Sequence, residues 1–420
     1  MAGKSIVSIA KGVDVEKMLT DVLEPLGGIK SLIKPRSTVV LKPNAGHPAL
    51  PESSVNTNPA LIAAVIKEVR KADPKEIILA EAAAIGCDTM DSFEMSGILK
   101  AAREAGIDSV IDIKQDKDLI SIPIRDARSD IVKVRLPRFL LEAEHIINLP
   151  IFKSHCSMVF TCALKNLKGV VQDKMHYQMH QTDLAKAMMD LWSVIKADLN
   201  IADLIRPAEG FGPHSTRPID FGCLVAGKDP VAVDAVACRM VGMDVDEIAY
   251  FEPAVERGLG NFAEESIEIR GRSIEEVKKP LWLPYLEGLE KYPEYRFYTE
   301  NACSSCMSLV GLTMEKLKAL GEYEKNRDAH IFVGRTKQIP DGLDPRKVIL
   351  FGDCLKMHRS KGVFAAGCPP LEPHPLWAIV DREDHTEMEP YFRKRMAEEG
   401  SPFDVYMEKL DKERREITDN

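Results

Sequence analysis

Along residues 37–242 the hydrophobic pattern switches repeatedly between two periods. Short runs of Val, Ile and Leu mark strands buried on both faces, and longer stretches with apolar residues at helical spacing mark amphipathic helices. STVVLKPN (37–44) predicts a strand running into a loop, and NPALIAAVIKEVRKA (58–72) a helix with Asn58 as N-cap and Pro59 at its first position. EIILAEA (76–82), SVIDI (109–113), HIINLP (145–150), LNIADLI (199–205) and FGCLVAG (221–227) continue the strand series. Between them lie EMSGILKAAREAG (94–106), a helix closed by Gly106, an amphipathic helix over 183–197, and DPVAVDAVACRMVG (229–242), capped by Asp229. This alternation predicts an α/β fold: a mostly parallel sheet with helices on both faces.

The texture changes at PLWLPYLEGLEKYPEYRFYTEN (280–301), which is dense in Pro and aromatic residues. A smaller α/β unit is expected after it, with a helix at 313–321 and strands at 330–334, 347–352 and 376–380. The last residues, rich in Glu, Arg, Lys and Met, predict a helix that is either solvated or a homo-oligomer contact. The expected organisation is an α/β domain with an anionic-ligand cleft over 1–290, a cysteine-rich domain over 291–382 and a helical tail over 383–420.

Composition narrows the function. A chain of 420 residues with 45% apolar and 29% charged residues has an ordinary globular balance. Its net charge of −9 argues against general nucleic-acid binding. No apolar run approaches bilayer length, and the N-terminus lacks a sustained apolar signal segment, so a cytoplasmic protein with no membrane partner is expected.

Nine cysteines in such a chain point to metal or redox chemistry rather than to a disulfide framework. Cys87, Cys156, Cys162, Cys223 and Cys238 stand singly among apolar neighbours and read as small buried hydrophobes. Cys303 and Cys306 form a C-x-x-C, Cys354 follows a predicted strand, and Cys368 stands in GCPP. Four thiolates suit tetrahedral zinc or a [4Fe–4S] cluster, and a redox dithiol is a further reading. Zinc sites commonly use two close pairs. One close pair plus two solitary cysteines, the last followed by prolines, favours the cluster. Lys356, His358, Arg359 and Lys361 lie between the last two and would offset its negative charge, or form an exposed basic loop.

The second dense stretch is INLPIFKSHCSMVFTCALKNLKGVVQDKMHYQMH (147–180). It begins at the C-terminal end of a predicted strand, where open α/β sheets place their ligands. Lys153, His155 and Lys165 are the candidate catalytic groups. Lys42, Asn44, Asn166, Lys168, His176 and His180 are the candidate substrate-binding groups, with Thr161 and His47 nearby. Converging lysines, histidines and amides suit a small carboxylate or phosphate. His176 and His180, at i and i+4, are alternatively metal ligands or polar surface. Asp203 and Glu81 are candidate general bases or structural ion-pair partners.

LKPN (41–44), INLPIFKSH (147–155), TCALKNLKG (161–169), GFGP (210–213) and AGKDPVAVDAVA (226–237) together resemble the DUF362 family, whose function is undefined, over roughly residues 36–245. The resemblance implies an iron–sulfur protein, since members often carry ferredoxin-type segments; it supplies no reaction. Here the run of clustered cysteines is replaced by a dispersed CSSC…C…GCPP, which implies one cluster. Lys-Ser-His stands at 153–155 where Lys-Thr-His is expected, and Leu204 follows Asp203 where the family pattern has glycine, which puts the role of Asp203 in doubt.

Three functions follow. The first is an oxidoreductase passing electrons through one [4Fe–4S] cluster to a small anionic substrate, fed by a ferredoxin or flavodoxin because no nucleotide-binding fingerprint is present. The second is a non-redox isomerase or lyase using Lys/His proton chemistry, with a structural metal. The third is an electron-carrier or metal-binding subunit of a larger complex.

Overall fold

The structure, a computed structural model, describes residues 4–180, 182–212, 215–283, 288–370 and 373–384. Among these, an eleven-stranded sheet dominates. Its main path runs Ile267–Gly271, Ser5–Lys11, Cys223–Gly227, Leu199–Phe211, His145–Leu149, Thr38–Pro43, Glu76–Glu81, Ser109–Asp112. Neighbours along this path are parallel except on either side of Cys223–Gly227. Both faces are buried, as the apolar runs require: Val39, Leu41, Ile77 and Leu79 enter one core, and Val40, Ile78 and Ala80 the other.

The helix ends carry the signals read from the sequence. Asn58 accepts from the amide of Ala60, and Asp229 from those of Val231 and Ala232. One predicted helix divides: Gly97, with φ +73°, separates Thr89–Met95 from Ile98–Glu104. The strand Leu199–Phe211 runs beyond its expected end and pairs with Ser215–Pro218.

A second, four-stranded parallel sheet comprises Arg296–Tyr298, His330–Val333, Val348–Phe351 and Val363–Ala365. Its long helix begins at Ser304, well before the expected residue 313, so the C-x-x-C lies at a helix N-terminus. The strand expected at 376–380 is helical, within Pro373–Asp381; its apolar run packs Leu376, Trp377 and Ile379 into the core of this unit. A continuous apolar run fits a buried helix as well as a strand, and the periodicity does not separate them. Most of the tail expected over 383–420 lies outside the described residues.

Candidate functional site

The site is organised by a hairpin. Ile151–His155 pairs antiparallel with Val159–Thr161, with Lys153 opposite Thr161 and His155 opposite Val159. Directly paired residues project to the same face, so Lys153, His155 and Thr161 share one side of the ribbon. The alternate residues Phe152 and Phe160 stack at 5.3 Å on the other side, within the apolar core. Val159 closes the turn with φ +67°, a left-handed conformation rare for a β-branched residue and one stored most often at functional sites.

The chain then turns into the short helix Ala163–Asn166, which delivers Lys165 and Asn166. Four residues make a poor helix alone. Here the buried carboxylate of Asp234 caps it from outside, accepting from the amides of Ala163 (2.6 Å) and Leu164 (3.0 Å). Burial pushes Asp234 up to about 7, against the hydrogen bonds it receives. No local motif marks Asp234, although a carboxylate inside DPVAVDAVA is a visible signal that something must satisfy it.

The expected cations converge. Lys165 adds to the depression of Lys153, His155, Lys168, His176 and His180, which places its charge among all five. Burial brings Lys165 itself down to about 8, and its ammonium has no hydrogen-bond partner among the described residues. Lys153 is brought to about 7 by burial and by Lys165; it donates to Asn44 Oδ1 (3.1 Å) and to the Val55 carbonyl. Lys168 Nζ lies 2.6 Å from His180 Nε2, and His176 Nε2 2.7 Å from the Lys168 carbonyl. The two histidines thus face Lys168, and among the described residues no three His, Cys, Asp or Glu side chains are grouped to hold a metal ion.

His155 Nδ1 accepts from the amides of Ser157 (3.2 Å) and Met158 (3.3 Å). Those bonds assign the proton of the neutral ring to Nε2. Burial and the surrounding lysines hold its pKa well below the ordinary value, so His155 is a neutral N–H donor. Thr161, opposite Lys153, is 1% exposed, and its hydroxyl has no hydrogen-bond partner among the described residues.

The carboxylate of Glu81 is fully engaged, accepting from Lys42 (2.7 Å), Ala45 N (3.1 Å) and Ala82 N (2.9 Å). Burial pushes Glu81 up and Lys42 down, and their attraction opposes both shifts. Gly169 packs on this pair; a Cβ there would stand 1.9 Å from Glu81 Oε1 and 2.6 Å from Lys42 Nζ. Lys42 is therefore turned inward, at 0% exposure. Asp203, at about 6 through burial, accepts from Asn58 N (2.8 Å) and Ile205 N (2.9 Å), beside a cavity of about 160 Å³ shared with Ser54, Asn56 and Arg206. It braces backbone rather than a lysine or histidine. The groups left for a ligand, Lys165 Nζ, His155 Nε2–H and the Thr161 hydroxyl, can each donate a hydrogen bond, an arrangement suited to an oxyanion.

The four thiols come from three segments. Cys303 is the N-cap of Ser304–Ala319, and Cys306 lies in that helix's first turn. Cys354 follows the strand Val348–Phe351, and Cys368 the strand Val363–Ala365. Cys303 is lowered to about 6, chiefly by a hydrogen bond with Cys306. Cys306 is raised by that bond, by burial and by the charges of Cys303, Cys368 and Cys354. The sulfurs thus sense one another, yet they are not grouped tightly enough for one ion. Tetrahedral zinc needs sulfurs about 3.8 Å apart, from a Zn–S bond of about 2.3 Å. A cubane cluster takes one thiolate on each of four irons, and four thiols at helix and strand ends are donors of the chemistry it requires. The helix N-terminus at Cys303 adds positive potential for an anionic group.

The two clusters share walls. Ser308, two residues past Cys306, donates through Oγ to the carbonyl of His155 (3.4 Å). On the other side the amide of Leu184, just beyond the helix that carries His176 and His180, donates to the carbonyl of Cys368 (2.9 Å).

Comparison with known proteins agrees with the sequence pattern. The model of a domain of unknown function, DUF362, matches residues 39–239. The thylakoid-associated protein sll1697 of Synechocystis sp. is 30% identical over 237 residues, 54% of this chain and 70% of that protein. Among solved structures, a Thermotoga maritima protein aligns with TM-score 0.36 at 14% identity, covering 55% of this chain and 60% of that one. The lactate racemase apoprotein of Thermoanaerobacterium thermosaccharolyticum aligns with TM-score 0.37 at 13% identity, covering 56% and 57%. The chain thus spans less than two thirds of either solved structure. Among the described residues no helix is long and apolar enough to cross a membrane.

Proposed function

The chain belongs to the DUF362 family, and from that premise we propose that it is a cytoplasmic iron–sulfur oxidoreductase whose cationic cleft holds a small oxyanion substrate. Cys303, Cys306, Cys354 and Cys368 hold one [4Fe–4S] cluster, which when bound supplies or accepts one electron at a time. The observation that carries the reading is the shared wall: Ser308 on His155 and Leu184 on Cys368 put the thiols beside the lysines and histidines.

The chain's own groups then have separate tasks. Lys165 pairs with the anion, because its ammonium has no competing partner among the described residues. His155 donates its Nε2–H to a substrate oxygen, and as a neutral ring it adds no repulsion between cations. Thr161 supplies a further hydrogen bond. Lys165, near 8, releases a proton at neutral pH more readily than a free lysine does. Electrons come from a small carrier such as a ferredoxin or flavodoxin.

The near-neutral lysines also favour a second reading, an isomerase or lyase that moves protons on an anionic acid while the metal staples the smaller unit. Redox titration of the anaerobic protein in the presence and absence of inorganic phosphate separates the two. A midpoint potential that rises when phosphate is removed and falls when it is bound supports electron transfer to the cleft. A potential indifferent to a bound anion favours the proton chemistry.

A further inference from the structure

A chain of side-chain amides runs under the cleft, across the buried sheet, and ends on Lys153. Asn200 donates through Nδ2 to the carbonyls of Gly227 (3.4 Å) and Lys228 (3.3 Å) and accepts at Oδ1 from Asn148 (2.9 Å). Asn148 accepts from Asn166 (2.8 Å), Asn166 from Asn44 (2.8 Å), and Asn44 from the Lys153 ammonium (3.1 Å). Strand pairing builds the line: Asn148 is the register partner of Asn200 on one side and of Lys42 on the other.

Chemistry fixes the orientation of the amides. Asn148 Nδ2 also donates to the Ala163 carbonyl (3.0 Å), and Asn166 Nδ2 to the carbonyls of Lys42 (3.3 Å) and Pro43 (3.2 Å). Those oxygens only accept, and the ammonium at the far end only donates. Every amide oxygen in the line therefore faces the Lys153 end. Hydrogen-bonded dipoles aligned this way polarise one another, and in a dry interior their field is weakly screened. Asn148 and Asn200 are both 0% exposed, out of a ligand's reach.

We propose that this amide relay is an electrostatic brace that positions Lys153 behind the anion site and favours its charged form against burial, with Asn148 and Asn200 as positioning residues for anion binding. The proposal rests on the reading of the cleft as an oxyanion site. It divides the labour of the two central lysines: Lys153, braced by Asn44 and the Val55 carbonyl, adds positive potential from behind the site, and Lys165, without a partner among the described residues, pairs with the anion. The charges acting on Lys153 are Lys165, which opposes its protonation, and Glu81, which favours it. The relay acts with Glu81.

The test is an NMR titration of the lysine ε-carbons, with phosphate affinity measured alongside, in the full-length protein and in Asn148→Ala. Breaking the line removes hydrogen bonds that favour the charged form, so the Lys153 midpoint is expected to fall by about one pH unit. At pH 8 phosphate affinity then drops by roughly tenfold, while at about pH 5, where Lys153 is charged in both proteins, the difference shrinks. The Lys165 midpoint stays in place. Asn200→Ala, which takes away the acceptor of Asn148 and shortens the line by one amide, lowers the Lys153 midpoint by a smaller amount; it carries the comparison if Asn148→Ala does not fold. A Lys153 midpoint unmoved in a folded variant overturns the brace and leaves the amides as scaffolding. Failure of the wild-type protein to bind phosphate at any pH overturns the oxyanion reading instead, and the Lys153 midpoint still tests the brace.

Discussion

The two polar clusters of this protein are built on opposite principles. In the cleft nearly every group is already satisfied by the protein: Lys42 by Glu81, Lys153 by Asn44 and Val55, His155 by its own turn, Lys168 beside His180. Only a few donors are left over. The thiols Cys303 and Cys306 engage each other and, at Cys303, the amides of the helix start, and Cys303 and Cys354 are exposed. A site finished by internal hydrogen bonds keeps its shape as ligands come and go. A site whose members lack internal partners needs a resident group to complete it. That difference is what the proposed function requires of a place for an exchangeable substrate and a place for a permanent cofactor.

The sharpest break comes from Cys306→Ser. It should reduce bound iron to near zero and loosen the smaller unit, while phosphate binding in the cleft survives; elemental analysis beside calorimetry checks both halves. Lys165→Met should do the reverse, leaving iron in place and weakening phosphate by roughly 30-fold or more, the usual scale for losing a desolvated charge partner.

The cleft should also be sensitive to pH. Lys165 lies near 8 in the folded protein against an ordinary 10.5. A depressed lysine contributes stability that is present above about 10.5 and is lost as pH falls through about 8. Melting without anion should therefore shift downward over that window, and phosphate should restore more stability at pH 7 than at pH 9. Equal protection at both values would contradict Lys165 as the charge that binds.

Gly169→Ala should cost about 3 kcal/mol, because its methyl group displaces one partner of the buried Lys42–Glu81 pair. The smallest effect is the most specific. Thr161→Val should weaken phosphate by roughly fivefold, the worth of one neutral hydrogen bond, with melting unchanged or raised, because the hydroxyl has no partner among the described residues to lose. A fall in melting temperature with affinity intact would make Thr161 structural.

Much of this was legible in the sequence, for identifiable reasons. Apolar runs and the caps Asn58 and Asp229 are local signals, and they placed the sheet and its helices. The convergence of Lys153, Lys165 and Lys168 followed from their position after a strand end. Residues that act across elements were not legible: Asp234 caps a helix seventy residues away, and Asn148 reads as an ordinary strand residue until Asn200 and Asn166 are seen beside it. The helix at Pro373–Asp381 was hidden because a continuous apolar run carries no period. Lys42 looked available for a ligand, and only the fold shows it spent on Glu81.

The proposed function requires a cluster at the four cysteines working beside an anion cleft. Its most direct test is to purify the protein without oxygen, count iron, acid-labile sulfide and zinc, and record the EPR spectrum after dithionite, with and without saturating phosphate. About four irons and four sulfides per chain, with a reduced-state signal that phosphate perturbs, is the predicted result. One zinc with no iron, or a cluster whose spectrum ignores the bound anion, would contradict it.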